Sequence, residues 1–248
     1  MIADSKKWKR ALRYATFRSM DLLVRNRLEN RQVQDAETVV WVPAREIRHR
    51  IIGYPLRMRR PLGQHESIIG ATRAGFWDRS VDSIESGIWY RGLVQRFVEG
   101  REWEETCYFQ DVKRSFDRGR KRRLDTSAVG FLNRKMKAWD RIYASMRDHG
   151  YKTHAELSQT IKHASRGSNT IPGEVEIAVG HDGRLIMYEG RHRLAMAKIL
   201  NLDRIPVVVR VWHDKFVARF DKVCPESRTA YNLMKFREDG GRDIRDEQ

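Results

Sequence analysis

The chain has little cysteine and no long apolar run, and these absences exclude several classes of protein. Its two cysteines, Cys107 and Cys224, lie far apart and form no CxxC pair. A disulfide framework and a cysteine-based zinc site are therefore not expected. No apolar stretch approaches the roughly 18 residues of a membrane span, and the N-terminus lacks the apolar segment of a secretory signal. We expect a soluble, cytoplasmic protein without a transmembrane segment.

Acidic side chains are scarce relative to basic ones. The 248 residues include 49 Lys and Arg but 33 Asp and Glu, a formal net charge of +16, while 40% hydrophobic residues suffice for a buried core. This excess favours a polyanionic partner, and arginine suits bidentate contacts with phosphate. A merely solvated basic surface has the same composition, so charge limits the class of partner and not the chemistry.

The first segment, residues 1–37, is predicted to contain a basic amphipathic helix. Trp8, Leu12, Ala15 and Leu22 recur near one stripe, and basic residues occupy the remaining positions. Such a helix suits an anionic membrane surface or a nucleic acid. A helix that docks on the body of the protein shows the same pattern, and docking is the commoner explanation.

The second segment, residues 38–170, opens with a strand and continues as a mainly helical section. Residues 38–42 are rich in β-branched side chains and end at Pro43, after which residues 44–48 are predicted to start a short helix. Residues 53–87 are rich in glycine and proline and show little periodicity. We predict irregular structure there.

Helical spacing of apolar residues then predicts two helices within residues 90–118, interrupted at Gly100, and another over residues 131–149, ended by Gly150. Thr153 and Glu156 have the spacing of a capping box for a further helix. The aromatic residues of these helices have the spacing of core positions, which favours packing over base stacking; they are Trp89, Tyr90, Phe97, Trp103, Trp139 and Tyr143.

The densest basic stretch covers residues 113–123, where Gly119 is predicted to end a helix. We predict a loop that contacts the phosphates of a nucleotide or nucleic acid. The candidate contact residues are Lys113, Arg114, Arg118, Arg120, Lys121, Arg122 and Arg123.

The third segment, residues 171–220, changes character. The predicted order is strand, hairpin turn, strand, helix and strand, at residues 175–179, 182–183, 184–188, 191–200 and 205–211. The last segment, residues 221–248, is predicted to be a C-terminal helix with a frayed tail.

The junction from Glu189 to Arg193 lies where the second of these strands ends and the helix begins. Backbone N–H groups without a helical partner and the positive end of the helix dipole point outward at such a junction. Gly190 permits close approach of a ligand, and Arg191, His192 and Arg193 add donors. These four residues are the predicted phosphate-binding residues.

A purely structural explanation of the same junction is also open. Gly190 then serves only a tight connection, and Arg191 and Arg193 form salt bridges to carboxylates such as Glu174 or Asp203.

Residues 187–198, which read MYEGRHRLAMAK, are followed by Leu200, Leu202 and an Ile205-Pro206-Val207 strand. This segment resembles the signature of N-terminal domains in the ParB/sulfiredoxin superfamily, over residues 172–212. The strand near Val39 and the residues after it resemble, less specifically, the family's opening strand and helix. The resemblance implies an α/β fold with a small mixed sheet, flanking helices and a largely helical N-terminal and inserted region.

The resemblance also implies phosphate chemistry, because superfamily members hydrolyse cytidine triphosphate, use ATP or phosphorylate serine. Arg191 stands where sulfiredoxins place their catalytic cysteine, which excludes that reaction. About thirty residues follow Val217, too few for the additional domains of classical partition proteins. The family's second phosphate motif has only a degenerate counterpart, in residues 52–57.

We therefore expect a nucleotide-binding protein that uses a nucleoside triphosphate with Mg²⁺, as a slow NTPase or a small-molecule kinase. Glu46 and Glu189 are the candidate catalytic residues, because they could orient water, a hydroxyl or Mg²⁺. The alternative is a non-enzymatic or nuclease-like protein that binds DNA or RNA. The eight histidines show no paired-ligand spacing, so no dedicated metal site is expected.

Overall fold

A seven-stranded mixed sheet organises the part of the chain that the computed structural model describes, namely residues 38–52, 70–119, 127–153, 156, 174–223 and 229–240. Helices pack against this sheet, which confirms the predicted α/β class. The strands are β1 (Val39–Pro43), β2 (His49–Ile51), β3 (Ala71–Arg73), β4 (Val81–Ser83), β5 (Val175–Val179), β6 (Leu185–Glu189) and β7 (Arg204–His213).

The helices form two groups along the chain. Between β4 and β5 lie α1 (Ile88–Phe97), α2 (Cys107–Asp117) and α3 (Ala128–Phe131), which continues through a π-helical turn (Leu132–Met136) into α4 (Lys137–His149). The second group consists of α5 (Arg191–Ile199), α6 (Asp214–Val223) and α7 (Ala230–Glu238). Short 3₁₀ turns occur at Ala44–Glu46, Trp77–Arg79 and Trp103–Glu105.

The carboxyl ends of the strands lie at two opposite edges of the sheet, and each edge is next to loops. The strand order runs β1-β7-β5-β6-β2-β4, with β3 also paired to β7. Strands β5 and β7 are parallel, so their carboxyl ends meet where Val179 pairs with Trp212. Strand β6 runs antiparallel to β5, and its carboxyl end therefore lies at the opposite edge, where Glu189 pairs with Glu176.

Both faces of the central strands are covered. On one face, side chains such as Ile177, Met187 and Val209 join a large core with the helices, including Leu194 of α5. On the other face, Trp77 packs on a small cluster made by Ala178, Ile186 and Val211. Burial on both faces explains why β5 and β7 read as nearly continuous apolar runs in the sequence.

Several predicted elements are confirmed. Strand β1 and the 3₁₀ turn after it lie where expected, as do α1 and α2, the helical stretch that Gly150 ends, and the strand, hairpin, strand, helix and strand of the third segment. The capping box is present, because Thr153 N donates to Glu156 Oε2 over 2.6 Å and Glu156 N donates to Thr153 Oγ1 over 3.2 Å.

Other predictions are wrong. Residues 70–87 are not irregular, because they contain β3, a 3₁₀ turn and β4. Each of these strands has three residues, too few to show a period, and pairing with β7 or β2 defines them instead. Helix α6, which directly follows β7, was not predicted, whereas α7 is the helix expected within residues 221–248. The predicted N-terminal helix lies outside the described residues.

No helix within the described ranges has the length and apolar character that crossing a bilayer requires.

Candidate functional site

The turn between β6 and α5 is shaped by the close packing of Gly190 against β5. Gly190 has φ +83° and ψ 21°, in the left-handed region. A Cβ at this position would lie 2.9 Å from Val175 Cα. Glycine is therefore required twice, by its backbone conformation and by the neighbouring strand.

The N-terminus of α5 that follows this turn has no side-chain cap. Gly190 is the N-cap residue and provides no side chain, and the first helical turn contains no acidic residue. The first backbone bond of the helix runs from Leu194 N to Gly190 O over 3.1 Å. The amides of residues 191–193 precede it, and with the helix dipole they form a local positive potential.

The half-buried side chain of His192 packs against the helical section. Its ring stacks on Trp139 at 4.0 Å between centroids, and Tyr108 Oη lies 3.1 Å from its Nε2. The predicted phosphate ligand is thus a contact between α5 and the helices α2 and α4.

The two arginines lie on either side of His192. Arg191 is exposed, with its guanidinium 5.8 Å from the Trp89 ring centroid and its Nη2 3.4 Å from Tyr108 Oη. Arg193 is half-buried, 5.8 Å from the Tyr151 ring centroid. Burial raises the pKa of Tyr151 to about 12, although the charge of Arg193 opposes that rise.

The structural explanation of the junction receives only partial support. Asp203, one of its two expected carboxylates, is 3.7 Å from Arg45 instead. Arg191 is exposed, and among the described residues it forms no ion pair within 4 Å. The requirement for Gly190, in contrast, has a complete explanation in the packing of Val175.

The two candidate catalytic carboxylates are not brought together. Glu189 is exposed and directly precedes Gly190. Glu46 forms an ion pair with Arg237, whose Nε donates to Gly183 O over 2.8 Å. Arg237 thus links Glu46 to the hairpin at Gly183, and among the described residues no contact links Glu46 to the turn at Gly190.

The basic stretch is partly helical and not a loop throughout. Lys113 and Arg114 lie on α2, and Arg118 directly follows it; all three are exposed. Arg114 lies 3.6 Å from Asp111, one turn earlier. The remaining candidates of this stretch lie outside the described residues: Arg120, Lys121, Arg122 and Arg123.

A second cluster, which the sequence interpretation missed, occupies the edge where β5 and β7 end. Asp78 is 1% exposed, and its Oδ2 accepts hydrogen bonds from His181 N at 2.8 Å and from His181 Nδ1 at 2.6 Å. His213 stacks on Trp77 and donates from Nε2 to Gly75 O over 2.9 Å. We call Asp78, His181 and Asp182 the hairpin cluster.

The carboxyl of Asp78 is held in its charged form. Burial alone would raise its pKa, but hydrogen bonds from the amide and ring of His181, with the charges of His213 and His181, hold the pKa below its ordinary value of 3.8. Burial likewise opposes the ionisation of Asp182, and hydrogen bonds from Arg184 lower its pKa. Both groups are therefore carboxylates at neutral pH.

One signal in the sequence could have located this cluster. His181-Asp182 comes after β5 and His213-Asp214 lies at the end of β7, and both strands were predicted correctly. The carboxyl ends of parallel strands meet at one edge of a sheet, where ligands commonly bind. The two His-Asp pairs are therefore expected to lie close together. Asp78 had no such signal, because the strands around it are too short to predict.

Comparison of the chain with protein-family models, with curated proteins and with solved structures finds no match. The resemblance to the ParB/sulfiredoxin superfamily therefore stays a prediction from the residues of the turn.

Proposed function

We propose that the protein binds the phosphate group of a nucleotide at the turn from Gly190 to Arg193. The observation that carries this proposal is the uncapped N-terminus of α5, whose first turn bears two arginines and no acid. The backbone amides of the first turn, the helix dipole and guanidinium groups converge there, and each of them favours an anion.

The packing around Arg191 supports the same proposal. Its guanidinium lies near Trp89 and Tyr108, two side chains that are 3% exposed and fixed in the core. An arginine held against rigid aromatic groups loses less conformational entropy when it binds a phosphate. These rings are themselves too buried to stack on a base, so they position the arginine and do not contact the ligand.

The ligand is proposed to be a nucleoside triphosphate that arrives with Mg²⁺. Glu189 is the exposed carboxylate beside the turn, and a carboxylate next to bound phosphates is a usual Mg²⁺ ligand. Hydrolysis or transfer of the terminal phosphoryl group to a small molecule needs mainly positioning and charge neutralisation. In either reaction Glu189, and not Glu46, is the residue that could orient the metal or the attacking hydroxyl.

Calorimetric titration of ATP, CTP and GTP with Mg²⁺ tests the proposal. We expect saturable binding of one of them to the wild type, weakened at least tenfold in the Arg191→Ala/Arg193→Ala variant, because each charge-assisted hydrogen bond contributes roughly 1.5–3 kcal/mol. The matched control is Lys113→Ala/Arg114→Ala, which removes the same charge from the exposed side of α2 and should bind as the wild type does.

Binding of DNA or RNA is the second candidate, favoured by the exposed basic face of α2. It predicts that duplex binding falls steeply with salt, with about one unit of the log–log slope lost per phosphate contact removed. Under this alternative the Lys113→Ala/Arg114→Ala variant loses affinity and no nucleotide binds. That pair of results would overturn the nucleotide proposal.

A further inference from the structure

The hairpin cluster has the donor atoms of a metal site. One ligand atom from each of Asp78, His181 and Asp182 lies within 4.8 Å of the others. Imidazole nitrogen combined with carboxylate oxygen is a donor set that first-row transition metals prefer, whereas Mg²⁺ favours oxygen ligands alone. The donor set alone is common on protein surfaces, so the argument depends on the environment of Asp78.

The buried carboxylate of Asp78 has an oxygen without a hydrogen bond. Its side chain is 1% exposed, and no hydrogen-bond donor in the described residues reaches Oδ1. His213 Nε2 lies 3.9 Å from this oxygen and donates to Gly75 O instead. Burying a carboxylate with one unsatisfied oxygen is costly, and a cation bound to the same carboxylate would offset part of that cost by neutralising its charge.

Gly180 leaves open the space between the two carboxylates. A Cβ at this position would lie 3.1 Å from both Asp182 Oδ1 and Asp78 Oδ2. The φ angle of Gly180 is not positive, so its backbone does not require glycine. The missing side chain instead lets the two carboxylates converge over the same point.

The charges that face the cluster leave it negative. Arg184 pairs with Asp182 at 2.9 Å, and Arg219 of α6 donates to the carbonyl of His181 over 2.9 Å. Asp214 adds a third carboxylate, 2.7 Å from His213 Nδ1. The ion pair of Asp182 is exposed and therefore weak, so Arg184 can be displaced by a divalent ion.

We propose that Asp78, His181 and Asp182 bind one divalent transition-metal ion. The ion takes the place of the hydrogen between His181 Nδ1 and Asp78 Oδ2, which are 2.6 Å apart. Tetrahedral ligands at metal distances of about 2.1 Å lie about 3.4 Å from each other, so the two atoms separate by less than about 1 Å. The neutral ring then carries its hydrogen on Nε2, and no net proton is released.

Zinc binding to chelator-treated, tag-free protein tests this proposal, by calorimetry for affinity and by Co²⁺ absorption for the ligand field. We expect one Zn²⁺ per chain, no competition from Mg²⁺ at tenfold excess, and a tetrahedral Co²⁺ spectrum. His181→Ala should weaken Zn²⁺ binding at least tenfold. His149→Ala, which removes an exposed histidine of α4, is the matched control and should bind as the wild type does.

Two further variants keep the test independent of folding, since substitution of the buried Asp78 also perturbs the core. Asp182→Asn removes an exposed ligand, and Gly180→Ala fills the space between the carboxylates without removing a ligand. Both should weaken Zn²⁺ binding at unchanged thermal stability of the metal-free protein. Absence of Zn²⁺ binding by folded wild type, or equal affinity of the wild type and His181→Ala, would overturn the proposal.

Discussion

The two turns at the ends of β6 have opposite chemistry. The turn at Gly190 is basic, is formed by consecutive residues and packs under the aromatic side chains of α2 and α4. The hairpin cluster at the other end is anionic and draws its residues from two separate parts of the chain, at Asp78 and at His181-Asp182. A site of consecutive residues can be found in a sequence, whereas a site assembled by the sheet becomes visible only with the pairing of its strands.

The largest expected effect comes from filling the space at the basic turn. Gly190→Ala places a Cβ 2.9 Å from Val175 Cα in a left-handed backbone, and we expect a loss of about 3 kcal/mol in the free energy of unfolding. Gly119→Ala is the control, since Gly119 has a similar φ with no atom within 4 Å of the new Cβ. It should cost about 1 kcal/mol in urea denaturation. Equal losses of stability in the two variants would mean that β5 moves to accommodate the new side chain.

A smaller effect is expected from the ring that joins this turn to the helical section. His192→Ala removes stacking on Trp139 and the hydrogen bond with Tyr108, so we expect a loss of about 2 kcal/mol. Hydrogen exchange should speed up at the start of α5 and in the facing turns of α2 and α4. If the exposed control His149→Ala causes a similar loss of stability, the ring of His192 does not hold α5 against α2 and α4.

The smallest effect concerns acid stability at the hairpin cluster. The pKa of Asp78 is lowered in the folded state, so below the ordinary value of 3.8 the unfolded state binds more protons, and stability falls as pH decreases through the folded pKa. In metal-free protein, Asp78→Asn should flatten this acid limb in thermal unfolding scans. Asp148→Asn, at an exposed carboxyl whose pKa Arg147 lowers, should change the limb much less, because solvent screens an exposed ion pair. An identical acid limb in wild type and Asp78→Asn would contradict this assignment.

Much of the fold could be predicted because it depends on local patterns. Apolar runs at β5 and β7, the helical spacing of α1, α2 and α4, and the glycines after the helices were sufficient to locate these elements. The strands β2, β3 and β4 could not be predicted, since three residues have no measurable period and their pairing partners lie far away in the chain.

The candidate sites divide in the same way. Gly190 and Arg191 could be named from the sequence because adjacent residues form the turn. The contacts of the His192 ring could not be predicted from the sequence, because they depend on where Tyr108 and Trp139 lie. The partner of Glu46 could not be predicted from the sequence either, because Arg237 lies near the other end of the chain.

The length of β6 determines how far the two turns can influence each other. About seven residues of extended chain separate Gly183 from Gly190, or roughly 23 Å, more than twice the screening length at physiological salt. A cation at the hairpin cluster therefore cannot neutralise a phosphate at the basic turn. Substitutions at the two turns should consequently have additive effects on stability, and each ligand should bind with the same affinity whether or not the other is present.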